Sequence, residues 1–182
     1  MMKRLRFVVI ISLTMLLVMV VACCSKHKTE QIKKVNEDLK ARIDSAKMLA
    51  YTDKTYNVTV SYPDFFQDSD TTENGTARFN YPDNIKKEIS LVMFVEPNVD
   101  GWNVKEAVKH LSDSLNHCVK EGDNYFIMSG QLKGNSQALF LEKCFLIDNH
   151  WVDYTLYYYP RHKKAIGRLA DLLMVWEPTV KR

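Results

Sequence analysis

The sequence carries none of the short signatures that announce a chemistry. It has no serine-nucleophile elbow, no HExxH or CxxC, and no glycine-rich loop of the kind that cradles phosphate. Glycine is scarce: six residues, at 75, 101, 122, 130, 134 and 167, spaced singly as turns and caps are. There is no internal repeat or low-complexity tract, and no apolar run after residue 22 approaches the length of a membrane span. A clustered basic excess is also missing, which argues against a nucleic-acid partner. Groups brought together by the fold leave no local trace, so a hydrolase without a signature stays among the alternatives.

What is present in strength lies at the start. Lys3, Arg4 and Arg6 precede an apolar run from Phe7 to Ala22, softened only by Ser12 and Thr14. At 16 residues this run is shorter than the roughly 20 of a spanning helix, and a small residue closes it, as in an export signal. With Val20-Val21-Ala22-Cys23 at its end, the segment resembles a bacterial lipoprotein signal. That resemblance implies cleavage after Ala22 and lipidation of Cys23, and 160 residues (182 less 22) would remain. The three early basic residues would leave with the signal, so 22 Lys and Arg would face 22 Asp and Glu. More than one acyl chain anchors a protein firmly, so acylated Cys23 is expected to hold the chain to a lipid bilayer. No Asp adjoins Cys23 and no acidic run follows it. The expected place is the periplasmic face of an outer membrane, with the cell surface as the alternative.

Four cysteines are present. Cys24 adjoins the lipid site, which leaves Cys118 and Cys144 for the folded part. An exported protein meets an oxidising compartment, so a Cys118–Cys144 disulfide is one reading. The preferred one is two buried thiols acting as small apolar residues, since sequence cannot bring their α-carbons within bonding distance.

The expected organisation is a signal over 1–22, a lipidated tether and amphipathic helix over 23–50, and one globular domain over 51–182. Ile32, Val35, Leu39, Ile43 and Ala46 form one helical stripe. Strict alternation over Tyr56–Tyr62 predicts a half-buried strand that Pro63 ends. Ala77, Phe79 and Tyr81 begin a second strand, and Ile89–Val95 is a third, apolar enough at its centre for cover on both faces. Asn103 and Glu106 form a capping box for a helix carrying Val104, Ala107, Val108, Leu111, Leu115, Cys118 and Val119, closed by Gly122. Three more strands follow, from Tyr125, over Ala138–Ile147, and over Trp151–Tyr159, with a tight turn at Asp148-Asn149. A last helix over about 163–175 presents Ile166, Leu169, Ala170, Leu173 and Met174. The fold class is therefore α+β: an antiparallel six-stranded sheet with helices on both faces.

This layout resembles the α/β/α sandwich of the PsbP-like family, which includes small lipoproteins of the DcrB type. The residues that carry the resemblance are Tyr62-Pro63-Asp64-Phe65-Phe66, the helix from Asn103, the Trp151-Val152-Asp153-Tyr154-Thr155-Leu156 strand, and Val175-Trp176-Glu177-Pro178. It implies a non-enzymatic protein that binds or stabilises an envelope protein partner. Candidate contacts for that partner are Tyr62, Asp64, Phe65, Phe66 and the 67–76 loop. The alternative is a small-ligand carrier or sensor with an aromatic pocket of Trp151, Tyr154 and Trp176, although a stripe of large rings is more often core. His110, Asp113 and His117 fall at steps of three and four, but the two histidines are seven apart, not four. They read as a solvated helix flank. No metal, cofactor or catalytic residue is expected.

Overall fold

The computed structural model describes residues 29–68, 75–82 and 88–180. The signal segment and Cys23 lie outside the described residues, as does most of the 67–76 loop. The chain divides into two compact units, Met1–Leu39 and Lys40–Arg182. In the first, residues 29–39 are helical and carry a Lys33–Glu37 pair one turn apart. The second begins earlier than the boundary expected at Tyr51, with helical residues 40–45 and the buried Ile43. Residues 29–45 are labelled α1.

The second unit holds two antiparallel sheets. The larger runs β3(Gln67–Asp68), β4(Thr76–Asn80), β5(Ile89–Pro97), β9(His150–Tyr158), β8(Asn135–Ile147), β7(Tyr125–Leu132), β6(His117–Glu121). It is an antiparallel sheet of six principal strands, as expected in class and number, with a two-residue strand added at one edge. The smaller sheet joins β1(Met48–Thr52), β2(Val58–Pro63) and β10(Thr179–Val180). Helices α2(Val104–Leu111) and α3(Gly167–Val175) lie on opposite faces of the larger sheet, and a 3-10 turn (Pro160–His162) precedes α3.

Two assignments change. The alternating segment around Val58–Pro63 is a strand, but it pairs with β1 and β10 outside the larger sheet. The larger sheet gains instead β6, at the edge away from β3, a segment that the helical pattern had absorbed into the middle helix. That helix stops at Leu111 because Asp113 offers the chain another arrangement. The Asp113 carboxylate accepts from the backbone N–H of Leu115 and of Asn116, each at 2.8 Å, and such local bonds compete with helix. Gly122 consequently closes a β6–β7 turn, its N–H donating to Tyr125 O at 2.8 Å. A Cβ there would stand 2.3 Å from the Tyr125 ring, so a larger residue would force the ring to move. The capping box at Asn103 and Glu106 forms as the sequence implies, with bonds of 2.9 and 3.1 Å. Asp148 and Asn149 both take positive φ, 47° and 62°, as a two-residue hairpin turn between β8 and β9 requires.

One face of the larger sheet packs under α3 and the smaller sheet. Directly paired residues share a face, so Leu91, Leu156 and Leu141 point there together, as do Met93, Tyr154 and Lys143. Leu91, Met93, Leu156, Leu169 and Leu173 are all buried. Tyr62 lies flat on Phe79, ring centroids 3.9 Å apart, and ties the smaller sheet to this face. Lys143 extends its ammonium to the end of α3, donating to Met174 O at 2.9 Å and Trp176 O at 2.6 Å. A cation at a helix C-terminus satisfies carbonyls that have no partner within the helix. The opposite face packs Trp151, Phe126, Met128 and Cys144 beneath Val104 and Ala107 of α2.

Candidate functional site

Two cavities open on the larger sheet, one on each face. The first lies between α3 and the smaller sheet, about 210 Å³, walled by Met48, Leu91, Tyr154, Leu169, Leu172, Leu173 and Trp176 with Ser61 at one side. Tyr154 and Trp176 meet there with ring centroids 5.1 Å apart. The Tyr154 hydroxyl donates to Ser61 O at 2.7 Å, and burial pushes its ionisation well above the ordinary phenol range. Two of the three expected pocket residues are thus together. Trp151 is not with them: three positions from Tyr154 on one strand, it faces the other side of the sheet.

Trp151 lines the second cavity, about 170 Å³, with Glu96, Trp102, Ala107, Leu111, Phe126, Glu142, Cys144 and Asp153. Asn98 assembles its upper wall. Its side-chain oxygen accepts from Trp151 Nε1 at 3.1 Å and from Trp102 N at 3.0 Å, and its amide donates to Trp102 O at 2.9 Å. The two indoles are thereby held beside the cavity by one buried residue.

The cavity floor is acidic. Asp153 on β9 is paired with Phe94 and Cys144, so Glu96 on β5 and Glu142 on β8 are its diagonal neighbours on the same face. Burial, followed by the charge of Glu142 and then of Glu96, drives the Asp153 carboxyl far above its ordinary range, against the Cys144 thiol bond that favours the carboxylate. Glu142 is raised by burial and by Glu96, although Thr155 Oγ1 donates to it at 3.4 Å. Burial and the same carboxylates hold the Cys144 thiol protonated. Asp153 as a residue is partly accessible, yet its Oδ1 is fully buried and has no hydrogen-bond partner among the described residues. Among those residues no group of three or more His, Cys, Asp and Glu is arranged to hold a metal ion.

The other sequence candidates are dispersed. Phe66 is buried, and both Phe65 and Phe66 pack edge to face on Tyr81 at 5.9 and 6.2 Å, with their own rings tilted 5.1 Å apart. With Tyr62 on Phe79, three of the four expected contact residues turn inward, and only Asp64 is exposed. Cys118 and Cys144 are free thiols. They sit on β6 and β8 with β7 between, so two strand spacings of about 4.8 Å already exceed disulfide reach. His110 stacks on Trp102 at 4.5 Å, Asp113 sits in the turn, and His117 bonds Ser129 Oγ at 3.1 Å. The acidic floor escaped sequence reading because its members are 46 and 11 positions from one another along the chain, and only strand register joins them.

No protein-family model matches the sequence, and no curated protein matches it. Among solved structures, the chain is similar to cyanobacterial PsbP (CyanoP) from Synechocystis sp. PCC 6803. The TM-score is 0.51 at 13% identity, over 75% of this chain and 94% of that one. The fold is PsbP-like. A protein of unknown function, PA94 from Pseudomonas aeruginosa, aligns with a TM-score of 0.44 at 15% identity, over 74% of this chain and 99% of that one.

Proposed function

We propose that the protein is a membrane-anchored envelope lipoprotein of the DcrB type, non-enzymatic, whose PsbP-like domain binds or stabilises a protein partner. The anchor reading rests on the basic start, the apolar run and Ala22-Cys23. The partner reading rests on one observation: Leu111, Leu115, Val119 and Leu132, between 40% and 51% exposed, belong to the end of α2, the connection to β6, β6 itself and the end of β7, all at one edge of the sheet. Scattered surface apolar residues need no explanation, but a group of them beside one edge suits a protein contact. This moves the expected contact away from Tyr62–Phe66, whose rings are committed to packing.

The test is crosslinking capture from the native membrane by the tagged chain, with Cys23→Ser as the unanchored control and Leu115→Lys/Val119→Lys as the surface control. Specific enrichment of one envelope protein, lost with the lysine pair, supports the proposal. Enrichment indifferent to both changes sinks it. A small-ligand carrier is the second reading, favoured by the apolar cavity at Tyr154 and Trp176, and its own readout is saturation of Trp176 fluorescence by an apolar ligand.

A further inference from the structure

We propose that the cavity between α2 and the sheet is a binding site for a cationic hydrogen-bond donor, an ammonium or guanidinium group carried on a short apolar stem. Three features fit that chemistry. The walls are apolar and aromatic: Trp102, Phe126 and Trp151 flank the space, and indole faces attract cations. The floor presents Asp153 between Glu96 and Glu142, and no cationic group appears among the influences on Asp153 or Glu142. Asp153 Oδ1 has no donor among the described residues, so the carboxyl holds bonding capacity that an N–H in the cavity takes up once the carboxyl turns toward it.

Size and access agree. A cavity of about 150 Å³ accommodates a guest the size of benzene, and this one has about 170 Å³. Its Glu96 and Leu111 members are exposed, so the space opens at that rim. A guest with a planar fork could bond Asp153 while its stem lies against the indoles. The charge would then favour the ionised form of a carboxyl that burial and its neighbours push toward the neutral form. The reading is independent of the membrane anchor; it shares Leu111 with the β6 contact, whose Leu115→Lys/Val119→Lys control leaves the cavity lining unchanged. Its cation could come from a free amine or from a basic side chain of a partner.

The experiment is a titration of the full-length chain in detergent, its tryptophan indoles labelled with 15N, with agmatine, with an N-acetyl-arginine-amide peptide and with the uncharged n-pentanol. Trp102 and Trp151 line the site, while Trp176, on the opposite face, is the internal control. The expected result is saturable shifts of the first two indoles, with a dissociation constant of about 0.1–10 mM. Pentanol should give none. Asp153→Asn should weaken binding about tenfold or more. Glu96→Gln, at the exposed rim and therefore no threat to folding, should weaken it by a smaller factor. Preference for agmatine assigns a free amine, and preference for the peptide assigns a partner side chain. Absence of saturation, equal shifts at Trp176, equal response to pentanol, or undiminished binding by both variants would each overturn the proposal.

Discussion

The two faces of the larger sheet solve burial differently. Beneath α3 and the smaller sheet, Phe79, Leu91, Met93 and Leu156 are sealed, and the Tyr154 hydroxyl and Lys143 ammonium that point there are each bonded to backbone carbonyls. The face beneath α2 is covered by an eight-residue helix, and it holds Asp153, Glu142 and Glu96 beside its apolar cluster. A sealed apolar face confers stability in proportion to the area buried. A face that retains carboxylates forgoes some of that, and it is there that the cation site is proposed.

The largest effect should come from the sealed face. Leu156→Ala should cost about 2–5 kcal/mol in urea unfolding, while Phe94→Ala, exposed on the other face, should cost less than about 1 kcal/mol. Equal costs would erase the distinction. Next comes Lys143→Met, which strands the Met174 and Trp176 carbonyls at the end of α3. It should cost about 1–3 kcal/mol, and amide exchange should rise first in α3.

The pH dependence adds a second contrast, because the carboxyls beneath α2 and Glu88, beside the 3-10 turn, carry opposite signs. Burial raises Glu88, but hydrogen bonds from His162 at 2.7 Å and from Arg161, together with their charges, outweigh it and hold the carboxyl below its ordinary range. Its contribution is therefore present above the ordinary Glu range and is lost as pH falls through the lowered value. Glu88→Gln should cost roughly 1–3 kcal/mol at neutral pH, with the deficit shrinking in acid. Asp153 and Glu142 are raised, so the stability they allow is complete below about pH 4 and is lost as pH rises through their folded values. Asp153→Asn should raise the unfolding midpoint near pH 8 and leave it almost unchanged near pH 4. A midpoint lowered at both pH values would mean that the carboxyl is structural. The smallest expected effect is none: dithiothreitol should not shift the melting temperature, since Cys118 and Cys144 are unbonded.

Several parts of this architecture were legible because their causes are local. Ala77, Phe79 and Tyr81 alternate and are all buried. Asn103 and Glu106 are three apart and cap α2. Asp148 and Asn149 tolerate the left-handed backbone that the hairpin needs. The middle helix misled because Leu115, Cys118 and Val119 continue a helical period that Asp113 interrupts through its side chain. Strand β1 sits where the apolar stripe of α1 runs out, and its pairing with β2 has no local sign.

By itself the sequence determined the antiparallel α+β class, the alternating strands, the helix cap and the hairpin turn. Each of these follows from the backbone preferences of a few neighbouring residues. Tertiary structure alone decided that Trp151 and Tyr154 serve different cavities, that β2 leaves the larger sheet while β6 joins it, and that Glu96, Glu142 and Asp153 share one floor. Those outcomes depend on which strands pair and in what register. Register is settled by the burial of a whole face at once, a quantity that no short stretch of sequence contains.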